Sequence, residues 1–340
     1  SNGEVDKQIA GHFFNDIYTV SIPNPTPVVS SFTGKGRPDD PYILSSYDEL
    51  DLLKEFIVSG STNQYGKKYE NCAYYLTADI DFRGDEWVPF SLNAPFYGNG
   101  HTISNFKVVK ATTNPQGGYY AGFFGNLSSG AEIYNLNLKD FSVELSTAFG
   151  AIGNIGGFSG TGGGLIEACS VTNVSINVYG RSQHGIQVGA FVGYGGHNIN
   201  NCYVDGATVV LHDGDAEKLR AGAFMCSGDN NLSITNSYVA STTVSGYNAA
   251  GEIFPEISSP TNCFYYNVTM NGSTQTSAGY VNTAAYIYNT LGWSKTVWNA
   301  VDGALPTLIP VVYKFVTFAG GNGTSASPYL IEDADHLKLM

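Results

Sequence analysis

At 340 residues the chain can bury a large core, and a charged fraction of 13% beside 41 glycines and 23 tyrosines excludes the Leu/Ala/Glu/Lys-rich balance of helical proteins. The formal net charge of -13, with 16 lysines and arginines and no basic cluster, argues against nucleic acid as a partner. No apolar run approaches the roughly 18 to 20 residues that cross a bilayer, so no membrane insertion by this chain is expected. Ser1-Asn2-Gly3-Glu4 lacks the basic and apolar regions of a signal peptide, which leaves a cytosolic chain or one whose leader has been removed.

In chain order, residues 1–31 carry Pro23, Pro25 and Pro27 in a polar stretch and read as an extended lead-in or linker. Ser46, Asp48 and Glu49, followed by Leu50, Leu52, Leu53, Phe56 and Ile57 before Gly60, supply an N-cap, acids in the first turn and an apolar stripe, and so predict a helix. From Tyr74 to Met270 short alternating apolar runs are broken by Gly, Asn and Ser, and they repeat. Ile103-Ser104-Asn105-Phe106, Ile133-Tyr134-Asn135-Leu136, Ile166-Glu167-Ala168-Cys169, Ile199-Asn200-Asn201-Cys202, Ile234-Thr235-Asn236-Ser237 and Pro260-Thr261-Asn262-Cys263 form one recurring unit at intervals of 26 to 35 residues. Asn105, Asn135, Asn201, Asn236 and Asn262 align at one turn, where Asn tolerates left-handed geometry and its amide can bond the Asn above and below.

Each unit continues as apolar alternation (Leu136/Leu138, Cys169/Val171, Cys202/Val204), then a second alternating pair (Phe141/Val143, Val174/Ile176, Ala207/Val209). A third strand is marked by Gly-rich segments that stack Phe123, Phe158, Phe191 and Phe224, with Ile253 after them. Equivalent residues recurring every coil predict an all-β, right-handed parallel β-helix with three strands per coil and an N-terminal capping α-helix. The domains expected are the lead-in 1–31, a β-helix with end caps over 32–310, and the start of a second, incomplete module over 311–340. The last rests on Gly321-Asn322-Gly323, Pro328-Tyr329-Leu330 and Asp333 to Leu337, which repeat the opening near Gly34.

Gly34-Lys35-Gly36 with Pro41-Tyr42-Ile43, the strand Leu76 to Phe82, Trp87-Val88-Pro89, Phe96 to Asn105, and the Gly-apolar-x-Gly units Gly122–Gly125 and Gly157–Gly160 together resemble the GLUG-motif proteins. These are β-helical repeat proteins of bacterial surfaces, also found as the non-catalytic β-helical region of immunoglobulin A1 peptidases. The unit becomes Ala-first at Ala190 and decays at Cys226 and Pro255, so the later coils depart from the pattern. Leu291-Gly292-Trp293, Val297-Trp298 and Leu305 to Leu308 resemble the family's closing segment, expected here to seal the far end of the solenoid. The resemblance implies a secreted or bacterial cell-surface setting.

Candidate chemistry is sparse. Asp79 and Asp81 face one way on a strand, as a carboxylate pair or calcium site would, but their spacing points to a structural role, with Asp79 heading the Asn column and Asp81 beside Lys107. Asp213, Asp215 and Glu217 crowd one loop and are oxygen ligands of the kind that hold calcium, the one cofactor considered, against the simpler reading of a solvated loop. Cys169, Cys202 and Cys263 share one column with Leu136 and Ser237 and read as small buried residues, not a disulfide framework. Tyr203, Tyr238 and Phe264 should point outward as a flat strip of the sort that stacks on sugars. No HExxH or G-x-S-x-G motif appears, and the peptidase role of the family's larger members does not carry over. The sequence therefore points to a non-catalytic adhesin-like module whose exposed face binds a glycan or an extracellular or surface protein. A β-helix polysaccharide lyase or glycoside hydrolase, or a structural stalk, are the alternatives.

Overall fold

The computed structural model describes residues 31–113, 117–146, 153–179, 185–212, 219–246, 252–255, 259–311 and 313. The expected lead-in up to residue 30, the carboxylate loop at Asp213, Asp215 and Glu217, and the repeated opening motif after 320 lie outside them.

The chain winds as a parallel β-solenoid of about six turns. One coil comprises the strands Tyr119–Ala121, Phe124–Leu127, Glu132–Tyr134 and Asn137–Ser146. Each pairs in parallel with its equivalent one coil on, at Tyr119↔Gly153, Phe124↔Ser159, Ile133↔Ile166 and Leu138↔Val171. Four sheets result where three strands per coil were expected, and the reason is local. The Gly-Phe segment read as one strand is a corner: a Cβ on Gly122 would lie 2.6 Å from the Gly156 carbonyl oxygen, so only Gly allows the backbone to fold there against the next coil. Conversely, two expected strands join in Asn137–Ser146 and Ser170–Tyr179, bending at left-handed Asp140 and Asn173.

The predicted interior is where the period of two places it. Ile103, Leu138, Val171, Val204 and Val239 are fully buried, as are Phe123, Phe158, Phe191 and Phe224. Phe158, Phe191 and Phe224 stack at centroid spacings of 4.9 Å, whereas Phe123 stacks instead on Trp87, also at 4.9 Å. Asn105, Asn135, Asn201, Asn236 and Asn262 all have φ between 48° and 58°, and Ala168 takes the same conformation at 54° without the polar side chain that favours it. Amide-to-amide bonding within this column occurs at Asn262 Nδ2 to Asn236 Oδ1, at 3.4 Å. Elsewhere the amides reach sideways, as from Asn201 to Glu167 (2.7 Å) and from Asn236 to Asn200 (3.0 Å). A second left-handed column, Asp140, Asn173, Gly206, Ser241 and Asn267, follows five residues behind the first.

Cys169, Cys202 and Cys263 are free thiols at one interior corner. Their sulfurs accept backbone N–H groups from the preceding coil, Leu136 to Cys169 at 3.5 Å and Cys169 to Cys202 at 3.4 Å, and Ser237 does the same for Cys202 at 3.0 Å. Burial pushes the Cys263 thiol up to about 12 and Cys202 well above its usual range, so the thiol form is kept.

Helix α1, Tyr47–Val58, starts at Ser46, whose side chain accepts the Glu49 N–H at 3.3 Å while Glu49 accepts from the Ser45 N–H at 2.6 Å. It buries Leu50, Leu53 and Ile57 in the same core as Trp87 and Phe90. The far edge is closed by Ser273–Gln275, which turns back antiparallel onto Val268–Met270 and satisfies an edge that would otherwise invite another strand. The closing segment expected to seal that end goes elsewhere.

Candidate ligand-binding cleft

Residues 280–311, with Tyr313 beyond them, run back along the outside of the solenoid as a strap. Trp293 Nε1 donates to the Asn262 carbonyl (2.8 Å), Trp298 Nε1 to Asn201 Oδ1 (2.8 Å), and Tyr238 OH to the Pro306 carbonyl (2.9 Å). At the other end, Asn135 Nδ2 donates to the Tyr313 hydroxyl (3.2 Å), and the Tyr313 N–H donates to Asn99 Oδ1 (3.0 Å). The strap thus touches the last coils first and the opening coils last. Its Ile287, Trp293, Trp298 and Ala300 form a second apolar cluster with Tyr238, Ala240 and Phe264.

This corrects the expected ligand strip. Tyr203, Tyr238 and Phe264 do leave the solenoid on its outer face, in register at Tyr203↔Tyr238↔Phe264. Two physical facts remove Tyr238 and Phe264 from contact with a ligand. Each is 1% exposed because Trp293 and Trp298 lie on them. Their ring faces are also taken up, Tyr238 by Tyr203 at 4.9 Å and by Phe264 at 5.0 Å with interplanar angles of 2° and 5°, and the other face of Phe264 by Tyr280 at 4.5 Å. In a parallel ladder only the terminal ring keeps a face to offer.

That ring is Tyr203. The row continues Tyr203↔Ser170↔Asn137↔Thr102, so Ser170 stands where the next ring would be. There a cleft of about 240 Å³ opens between the sheet and the strap, floored by Thr102, Asn137, Ser170, Thr172 and Lys139, ended by Tyr203, and roofed by Thr307 to Pro310. The floor is pre-organised: Ser170 Oγ donates to Asn137 Oδ1 at 2.6 Å, and Asn137 Nδ2 donates to the Gly100 carbonyl at 2.9 Å. Burial raises the Tyr203 phenol, which is therefore a neutral donor or acceptor at ordinary pH. Sequence reasoning missed Asn137, Ser170 and Lys139 because nothing local distinguishes them; they form a floor only through the strap, whose path no periodicity encodes.

The other candidates are placed as follows. The register is Asp81↔Ser104 and Glu86↔Lys107, so it is Asp81 that caps Asn105 (Nδ2 to Oδ1, 2.9 Å), with Glu86 and not Asp81 beside Lys107. Two backbone and amide bonds hold the Asp81 carboxyl below its usual range. Asp79 accepts the Thr102 N–H at 2.8 Å and faces His101 Nδ1 at 3.1 Å, so both carboxylates serve the turn. Among the described residues no cluster of His, Cys, Asp or Glu suits a metal.

No protein-family model matches the chain. It is 28% identical over 143 residues to a protein named "Putative Gly-rich membrane protein" from Evansella cellulosilytica, covering 41% of this chain and 15% of that one. It is 26% identical over 164 residues to halomucin of Haloquadratum walsbyi, covering 43% of this chain and 2% of that one. The chain therefore corresponds to a small part of these relatives. A crystal structure described as a putative immunoglobulin A1 protease from Bacteroides ovatus superposes with a TM-score of 0.44 at 18% identity, over 81% of this chain and 94% of that one. Among the described residues no helix is long and apolar enough to cross a membrane.

Proposed function

We propose that this chain is a non-catalytic, adhesin-like module of a secreted or bacterial cell-surface protein and that it binds a glycan in the cleft beneath the strap. One observation carries the reading: the terminal ring of an aromatic ladder lines a cleft together with the hydroxyls of Thr102 and Thr172 and the amide of Asn137, the combination a sugar ring needs for stacking and for its hydroxyls. Lys139 is the one ionised side chain among the lining residues, so the paired carboxylates of a glycosidase have no counterpart there. The membrane protein named among the relatives agrees with a surface setting. A stalk role is favoured by a different observation, the strap that ties opening and closing coils together, and the two roles are compatible.

The test is an array of polysaccharides and host glycans, with and without calcium, probed with the native chain and with Tyr203→Ala and Asn137→Ala. Specific binding lost in both variants, with melting temperatures little changed, supports the reading. Binding that both variants retain, or no binding to any glycan, overturns it in favour of a protein partner. Calcium dependence would direct attention to Asp213, Asp215 and Glu217.

A further inference from the structure

The sign of the charge at the cleft narrows the ligand. Resting on the glycan reading above, we infer that the cleft selects an acidic saccharide, one whose carboxylate pairs with Lys139 while its ring lies on Tyr203. In a chain of net charge -13, the single ionised group lining the cleft is a cation. Asp140, 3.6 Å from Lys139, and Asp205, in the row Lys139↔Thr172↔Asp205, are not among the lining residues.

The spacing suits such a ligand. Lys139 belongs to the coil of Asn137, and Tyr203 lies two coils on, a separation along the axis of roughly 10 Å. A ring on Tyr203 stands at the level of Thr172, whose hydroxyl meets its own, while Ser170 in the same coil is buried and bonded to Asn137. A carboxylate extending from that ring points toward the coil that carries Lys139, whose flexible stem covers the remainder.

The existing partner of Lys139 is easily exchanged. Both members of the Lys139–Asp140 pair are about half exposed, which makes it a weak, screened contact. Asp140 also accepts from Asn173 Nδ2 at 2.9 Å, so it keeps a hydrogen bond when Lys139 turns to a ligand.

The experiment is calorimetric titration of the chain with uronate- and sialate-terminated oligosaccharides and with the methyl ester of each, which keeps the skeleton and removes the charge. The expected result is an acid bound about tenfold more tightly than its ester, with the advantage abolished in Lys139→Met and reduced by added salt. Lys139 is exposed, so this variant should melt like the native chain. If acid and ester bind alike and Tyr203→Ala weakens both, the cleft is a glycan site but the inference of an acidic ligand is overturned. If the acid is preferred equally by Lys139→Met, the inference is also overturned, because the charge is read elsewhere. If neither form binds, the glycan reading fails along with it.

Discussion

The coils and the strap are built on opposite principles. Each coil touches its two neighbours and repeats their residues, so its stability is a sum of local terms. The strap repeats nothing, yet it bonds Asn262, Tyr238, Asn201, Asn135 and Asn99, residues from one end of the stack to the other. A solenoid alone can fray from its ends, whereas a solenoid with its opening and closing coils bound to one segment must release that segment first. The strap therefore supplies the cooperativity that a quasi-one-dimensional stack lacks.

The largest expected effect comes from cutting that link. Trp298→Ala removes a fully buried ring and leaves Asn201 without its indole donor, and should cost about 3 to 5 kcal/mol. Phe191→Ala in the column should cost a similar amount but leave one unfolding transition. Denaturant unfolding followed by fluorescence and by circular dichroism distinguishes them, because Trp298→Ala alone should make the two probes diverge.

The next effect is a pH dependence built into one coil. His197 is fully buried between Gly164 and Leu232 in its column, its Nδ1 lies 3.2 Å from the Gly164 carbonyl, and Nε2 has no partner. Burial lowers its pKa from 6.5 to about 4, despite Asp229 nearby. A depressed value means the unfolded chain takes up the proton first, so the neutral imidazole's contribution is complete above pH 6.5 and is lost as pH falls toward 4, about 3 kcal/mol in all. His197→Leu, matching the residue one coil on, should flatten stability over that window; an unchanged profile would assign the acid sensitivity to other groups.

These two features also show what a sequence can and cannot reveal. The coils were legible because repetition turns weak local signals into a strong one: the left-handed Asn column and the buried Phe column both lie where the intervals placed them. The split of each Gly-Phe segment into two strands was hidden, since a corner and a strand of four residues share the same alternation. The strap's composition, Trp293, Trp298 and Leu305 among polar residues, marked it as a cover, but not which surface it covers. For that reason Tyr238 and Phe264 read as exposed, while the cleft floor went unseen.

Smaller effects sharpen the picture of the columns. Asn236→Val forces a β-branched residue into φ 48° and should cost about 1 to 2 kcal/mol, whereas Asn236→Gly should be nearly neutral. At Ala168 the sign reverses: Ala168→Gly relieves the same strain and should stabilise by up to about 1 kcal/mol, read as a rise in melting temperature.

The most direct test of the strap uses the chain's three tryptophans, of which Trp87 lies inside the coils while Trp293 and Trp298 belong to the strap and pack against the sheet. All three are at most 3% exposed when the strap is docked, so acrylamide should quench native emission weakly and uniformly, with a blue-shifted maximum. A large fraction of the emission quenched as readily as free indole would mean that Trp293 and Trp298 stand in water, and the strap, its buried ladder and the cleft beneath it would all be contradicted.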